Sequence, residues 1–458
     1  MPFPPYAGIV TPAGTRRDGI PVAEATAILH RFAYVKGRLA IAAAAFLPST
    51  PEWEVKGALA LHGSIDADHA AAIAARIGEM RQPAPSVAEV PDEALRAALD
   101  EVLAATTTAA RLTALYGVVR PQLRRAIESY IERTNPLCDA PSVRVLRSVL
   151  AEEATVDAFA VPALATVDAQ DARDWSAHLQ EALAAAGGVD GLAARTSPPP
   201  LRYTRPYRFD IMPARDSRFT GIFDTSTPAD VVYLDDTRSA DERNAALMFK
   251  RLREMDVPEV IAGIVAERWA EERNADARGR PWTYYASMMR QVWDEARHAM
   301  LGQALMESRG VDWTALPVNV TFSWKLAKHC SPVERHIVLY AIEQSLMPKD
   351  RGKPYEHRVA VESGDRLSAL FHDYDWADEV LHVEIARRCL RPELPGGLAE
   401  ARARADELWT RIAEAIEKDP PPRDETAAPD WWTRFARQVL GRAPAPVPET
   451  HVKDWRPE

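Results

Sequence analysis

The sequence predicts an all-α protein built of two helical bundles. Three observations carry this. Apolar residues recur at the three-to-four-residue spacing that lines one face of a helix. The 36 prolines gather in clusters that separate such stretches. Only Val231-Val232-Tyr233-Leu234 reads as a short strand. A chain of 458 residues, 47% hydrophobic and 27% charged, has ample material for two or three soluble domains.

Residues 1–22 read as irregular. Val22 to Phe46 forms an Ala-rich helix, broken at Pro48-Ser49-Thr50-Pro51, where Ser49 or Thr50 can cap a second helix ending near Arg81. A Pro-rich loop spans Gln82 to Pro91. Helices follow over Asp92–Thr106, Ala109–Arg133, Pro141–Ala160 and Asp168–Ala186, so residues 1–195 make an N-terminal bundle. Residues 196–240 are a linker rich in Pro, Arg and aromatic side chains, read as docking one domain on the other. Residues 241–395 hold the second bundle: a helix over Asp241–Met255, one from Pro258, one over Tyr284–Ser308, one over Pro332–Met347, and a last within Val359–Leu390. Pro317 to Phe322 and Pro348 to Glu356 read as irregular. Lys349, Arg351 and Lys353 in the latter read mainly as loop solvation, with gating of a pocket as the other reading. Residues 396–458 add an amphipathic helix and a tail.

The second bundle carries the chemistry. Asp294-Glu295-Ala296-Arg297-His298 and Asp378-Glu379-Val380-Leu381-His382 both read Asp-Glu-x-x-His. Glu and His three apart share a helix face. Here they sit among apolar neighbours, where an unpaired charge is costly. Two such helices, with one Glu from each of two more, make a set able to hold two metal ions. Glu343, a lone acid among apolar residues, is one of these. Glu267 is chosen for the other, with Glu271 as its competitor. The preceding Asp294 and Asp378 suit the carboxylate that accepts the second ring N–H of a ligating His. Gly302 and Ala386, one turn past each His, suggest a pocket lined also by Tyr340, Trp376, Met288 and Met306. Close helix packing is the competing reading of these small residues.

The first half lacks such a set. Glu24 lies at a helix edge. His62, Asp66 and His69 share one helix without a Glu-x-x-His, and Glu152 and Glu153 stand alone. It is therefore expected to be a metal-free bundle.

The net charge of −10 argues against nucleic-acid and anionic-membrane partners. Cys138, Cys330 and Cys389 are too few and scattered for a disulfide framework or zinc site. The N-terminus lacks the form of a signal peptide, and a cytoplasmic location is expected.

The order Glu267, Glu295-x-x-His298, Glu343, Glu379-x-x-His382, with Glu-to-Glu intervals of 28 and 36 residues, resembles the ferritin-like di-iron carboxylate superfamily. The Asp before each Glu is similar to the bacterial multicomponent monooxygenases and in part to the ribonucleotide reductase small subunit. The resemblance covers about Pro258 to Leu390. It implies a ferritin-like four-helix bundle holding two iron ions, with manganese or a mixed pair as variants. Glu295 and Glu379 would bridge the ions and carry catalysis, Glu267 and Glu343 would be terminal ligands, and His298 and His382 would bind one ion each. The implied function is a di-iron oxidoreductase that activates dioxygen to hydroxylate, N-oxygenate or desaturate a small organic substrate, with electrons from a ferredoxin-type donor. The alternative is a metal-binding protein without organic turnover, a ferroxidase or radical scaffold. Gly302 stands where the reductase subunit has its radical tyrosine, which weakens the scaffold reading. A homodimer is compatible with the sequence.

Overall fold

The computed structural model describes residues 3–223, 229–275, 279–422 and 430–447. Helix accounts for 69% of the chain, and the described residues contain no strand. The helices are α1 Val22–Phe46, α2 Trp53–Gly78, α3 Glu93–Val102, α4 Thr108–Leu112, α5 Arg120–Arg133, α6 Ala140–Ala165, α7 Ala169–Ala185, α8 Ala229–Tyr233, α9 Ala240–Arg253, α10 Val257–Asn274, α11 Trp282–Glu307, α12 Thr321–His329, α13 Pro332–Ser345, α14 Lys353–Glu362, α15 Arg366–Leu390, α16 Gly397–Lys418 and α17 Trp431–Leu440. A π turn over Thr113–Val119 joins α4 to α5. No helix among the described residues is long and apolar enough to cross a membrane.

Local chemistry explains the boundaries. Asp92, Ser239 and Asp365 cap α3, α9 and α15 by accepting the backbone N–H of Leu95, Glu242 and Ser368. Ser331 and Glu334 form a capping box on α13, whose first residue is Pro332. Helix α9 has Asp241 and Glu242 in its first turn and Lys250, Arg251 and Arg253 in its last, the arrangement the helix dipole favours.

The segment Val231–Leu234 departs from the reading as a strand. It lies mostly in α8, whose Val232 and Tyr233 are buried. A run of β-branched residues too short for a paired strand takes the local hydrogen bonds of a helix when α9 packs on it. Helix α12 begins inside a stretch read as irregular, and α14 begins inside the expected Pro348–Glu356 break.

The chain divides into two units that interleave along the sequence rather than following each other. Unit 1 comprises residues 1–46, 61–209 and 269–289; unit 2 comprises 47–60, 210–268 and 290–458. In unit 1, α3 packs on α1 and α7, and α5 on α6. In unit 2, α15 packs on α13 and α14, α9 on α8, α14 and α17, and α16 on α12 and α13. The last residues of the expected tail, 448–458, lie outside the described residues.

Candidate metal centre

Unit 2 brings the two Asp-Glu-x-x-His segments, on α11 and α15, face to face. Glu295, His298, Glu379 and His382 are all buried. Helix α13 adds Glu343. One ligand atom each of Glu295, Glu343, Glu379 and His382 lies within 4.8 Å of the others. His382 Nδ1 approaches Glu295 Oε1 to 3.1 Å and Glu379 Oε2 to 3.7 Å. His382 Nδ1, Glu343 Oε2 and Glu379 Oε2 are nevertheless buried without a hydrogen bond. Buried polar atoms nearly always have partners. Three such atoms in one cluster of imidazole and carboxylate make a group that could hold a cation.

A second group adjoins the first. His298 Nδ1 lies 3.4 Å from Glu295 Oε2, 3.3 Å from Asp375 Oδ1 and 3.7 Å from Glu254 Oε2. Glu254, Glu295 and His298 form one possible ligand set, and His298, Asp375 and Glu379 another. Glu295 and Glu379 each belong to both sides of the centre.

The aspartates that precede the glutamates act crosswise. The Nε2–H of His298, on α11, donates to Asp378 of α15 at 3.2 Å, and that of His382, on α15, donates to Asp294 of α11 at 3.4 Å. Arg297 donates to both aspartates at 2.7 Å, and Arg290 holds Asp294 from the other side. A carboxylate on Nε2 fixes the proton there and leaves Nδ1 facing the centre.

Glu267 does not join the cluster. It forms an ion pair with Arg335 of α13, and its side chain is 32% exposed. Arg335 is itself buried, so an anion is required beside it. Glu271 is exposed. The acid that stands where Glu267 was expected is Glu254, in the short 3-10 turn between α9 and α10, 41 residues before Glu295. A wheel that starts afresh at Pro258 cannot include it. Asp375, one turn before Glu379, was missed as well, although its spacing puts it on the same face.

Lys353 corrects the reading of its loop as solvation. It is fully buried, with Nζ 2.8 Å from Glu379 Oε1, 2.9 Å from Asp375 Oδ1 and 3.6 Å from Glu254 Oε1. The turn before it closes on itself: Gly352 N–H donates to Pro348 O and Lys353 N–H to Leu346 O. A Cβ on Gly352 would strike the Leu346 carbonyl and approach Pro348 O to 2.9 Å, so only glycine allows this turn to point Lys353 inward. Arg251, at the end of α9, pairs with Asp375, Glu254 and Glu356, and Lys250 pairs with Glu356.

These neighbours set the protonation of the cluster. Burial opposes charge on His298, but Asp375, Asp378 and Glu295 outweigh it and push its pKa up to about 10. His382 is raised well above the ordinary histidine value: burial is again overcome, here by Asp294, Glu295 and Glu379. Burial, with Glu379 and Glu295 nearby, raises Glu343 well above the carboxylate range.

A cavity of about 250 Å³ opens beside the centre. Glu254, Glu295, Glu343 and Glu379 contribute to one wall, Val257, Phe322, Leu339, Ile342, Leu346 and Trp409 supply apolar lining, and Asn319 and Thr321 supply polar groups. Gly302, Tyr340, Trp376 and Ala386 are absent from the described lining. A Cβ on Gly302 would meet the backbone of α9, 2.7 Å from Leu252 Cα and 2.8 Å from Arg251 C, so this glycine serves helix packing. Tyr340 and Ala386 are core residues, and half-buried Trp376 lies near the His357 ring. Gly302→Ala should therefore destabilise the fold by about 1–3 kcal/mol, read as a lowered thermal midpoint. An unchanged midpoint with lost turnover would restore the pocket reading.

Unit 1 has a buried charged cluster of its own. Asp66, His69 and Glu153 come together there. Lys36 Nζ reaches Asp66 at 2.8 Å and Glu153 at 2.5 Å, and Arg120 binds the same two acids.

No family model, curated protein or solved structure matches the chain.

Proposed function

We propose that unit 2 is a non-haem iron oxidoreductase of ferritin-like type, which activates dioxygen against a small organic substrate held in the adjoining cavity. The observation that carries this is the convergence of His382 Nδ1, Glu343 Oε2 and Glu379 Oε2, buried and without hydrogen bonds, beside a cavity with apolar walls. Imidazole nitrogen and carboxylate oxygen together suit iron or manganese. Iron is preferred because two ferrous ions, when bound, supply electrons to reduce dioxygen.

The donor set fits the first ion well. Glu295, Glu343, Glu379 and His382 would hold it, with Asp294 fixing the His382 ring from behind. Glu254, Glu295 and His298 would hold the second, with Asp378 behind His298. The chain's residues then have defined tasks. Glu295 and Glu379 adjoin both positions. The apolar wall of Val257, Leu339, Ile342 and Leu346 limits water and favours a hydrocarbon or aromatic body in the substrate. Asn319 and Thr321 can orient its polar end. Hydroxylation, N-oxygenation and desaturation all suit this arrangement, and a ferredoxin-type protein is the proposed electron donor.

The test is anaerobic ferrous loading followed by oxygen uptake with and without a panel of small aromatic and aliphatic substrates. Iron binding with substrate-dependent uptake supports the reading. Uptake independent of substrate would favour a ferroxidase, and failure to bind iron or manganese would remove both.

Metal binding should also release protons, because His298, His382 and Glu343 all hold their protons more strongly than usual and each must give one up to ligate. Up to about one proton from each of these three groups is expected, measurable with an indicator dye in weak buffer at pH 7.5. The sign follows from the raised pKa values: protons compete more strongly as pH falls, so affinity should drop with acidification. Loading without proton release would count against ligation by His298, His382 and Glu343.

A further inference from the structure

The two sides of the centre are unequal. On the side of Glu343 and His382, three donor atoms have no hydrogen bond. On the side of Glu254 and His298, His298 Nδ1 also lacks a hydrogen bond, but there a protein cation is already present among the acids. Lys353 Nζ lies 2.8 Å from Glu379 Oε1 and 2.9 and 3.0 Å from the two oxygens of Asp375. It also lies 3.6 Å from Glu254. Arg251 engages Asp375 and Glu254 from the other direction. Lys353 is buried, so solvent does not screen its charge from an ion arriving beside it.

Resting on the metal-centre reading above, we propose that Lys353 occupies the second cation position and makes metal loading stepwise. The first ion takes Glu295, Glu343, Glu379 and His382. The second enters beside Glu254 and His298 only as the Lys353 ammonium gives up Glu379. Lys353 is thus a positioning residue that keeps the centre's charge balanced with one ion bound. It controls whether the chain holds one metal or two.

The test is a Mn²⁺ titration of the full-length chain, with free ion counted by its magnetic resonance signal. Wild type should bind one equivalent tightly and a second about tenfold or more weaker. Lys353→Met should tighten the second equivalent by about tenfold or more and the first by less, so that the two steps draw together. Lys353→Arg, which keeps the charge, should retain two unequal steps. Should the Met variant fail to fold by circular dichroism, Lys353→Gln removes the charge and keeps hydrogen bonding. Equal steps in wild type, or a second step that is unchanged or weakened when the charge is removed, would overturn the role of Lys353 while leaving the metal centre intact. Binding of no Mn²⁺ by any variant would instead sink the metal-centre reading itself.

Discussion

Glu295→Ala should strip the chain of bound metal. The Glu295 carboxylate lies within 3.1 Å of His382 Nδ1 and 3.4 Å of His298 Nδ1, so it adjoins both cation positions. Burial would favour its neutral form, but the two histidines beside it hold its pKa far below the usual carboxylate range. It is therefore an anion whenever an ion arrives. Even a residue that only supports a ligand changes metal affinity about 10- to 100-fold, so losing a carboxylate that serves both positions should cost more than about 100-fold. Glu267→Gln is the decisive control. Glu267 belongs to none of the candidate ligand groups and pairs instead with Arg335, so metal bound per folded chain should be unchanged even as loss of the anion beside buried Arg335 lowers stability. Metal content measured by elemental analysis after gel filtration separates the two. Loss of metal in Glu267→Gln, with retention in Glu295→Ala, would reverse the assignment of ligands.

The contrast between Glu267 and Glu254 also marks how far the sequence could be read. The paired Asp-Glu-x-x-His segments were legible because helical spacing alone puts their Glu and His on one face. Glu343 was legible because it is a single acid on an apolar face. The helical class and most helix ends followed from periodicity and from the prolines between helices, whereas the break that Asp365 caps inside the stretch Val359–Leu390 did not. Glu254 was not legible. It lies in a 3-10 turn where the period of α9 has ended and that of α10 has not begun. Glu267 was attractive for its spacing, but the choice between acids on α10 is made by Arg335, a buried cation on another helix. Lys353 was hidden for a similar reason. Its loop has the Gly, Pro and charge expected of a solvated connection, and only the closure of Gly352 on Leu346 and Pro348 turns it inward. Long-range partners of single charges are absent from local pattern, whereas helical faces are not. The same limit applies to Gly302, since a small residue on an inner face reads identically whether it borders a cavity or the backbone of α9.

Arg120→Met should cause the largest loss of stability in unit 1. There the four charges come from four helices: Lys36 from α1, Asp66 from α2, Arg120 from α5 and Glu153 from α6. All four are buried. Inward acids on packed helices pose the same problem as in unit 2, since an unpaired buried carboxylate is too costly to keep. In unit 1 the chain supplies two cations of its own, and the two acids are shared between them. Removing one partner of a buried pair costs roughly 3–5 kcal/mol, and in a unit of roughly 200 residues, the size of unit 1, each kcal/mol lowers the midpoint by about 2–4 °C. A fall of roughly 6–20 °C is therefore expected by calorimetry. The pH dependence gives an independent check. Burial raises the Glu153 pKa, but Arg120 and Lys36 more than offset it and hold it at about 2. A depressed carboxyl contributes stability that is complete above its unfolded value and is lost as pH falls through its folded one. Without Arg120 the folded value should rise, so acid unfolding should begin at higher pH than in wild type. The double variant Arg120→Met with Asp66→Leu removes an acid along with its cation and should recover part of the loss. If Arg120→Met lowers the midpoint by only a degree or two, or if the double variant is no better, Lys36 alone neutralises both acids and the balance drawn for this cluster is wrong.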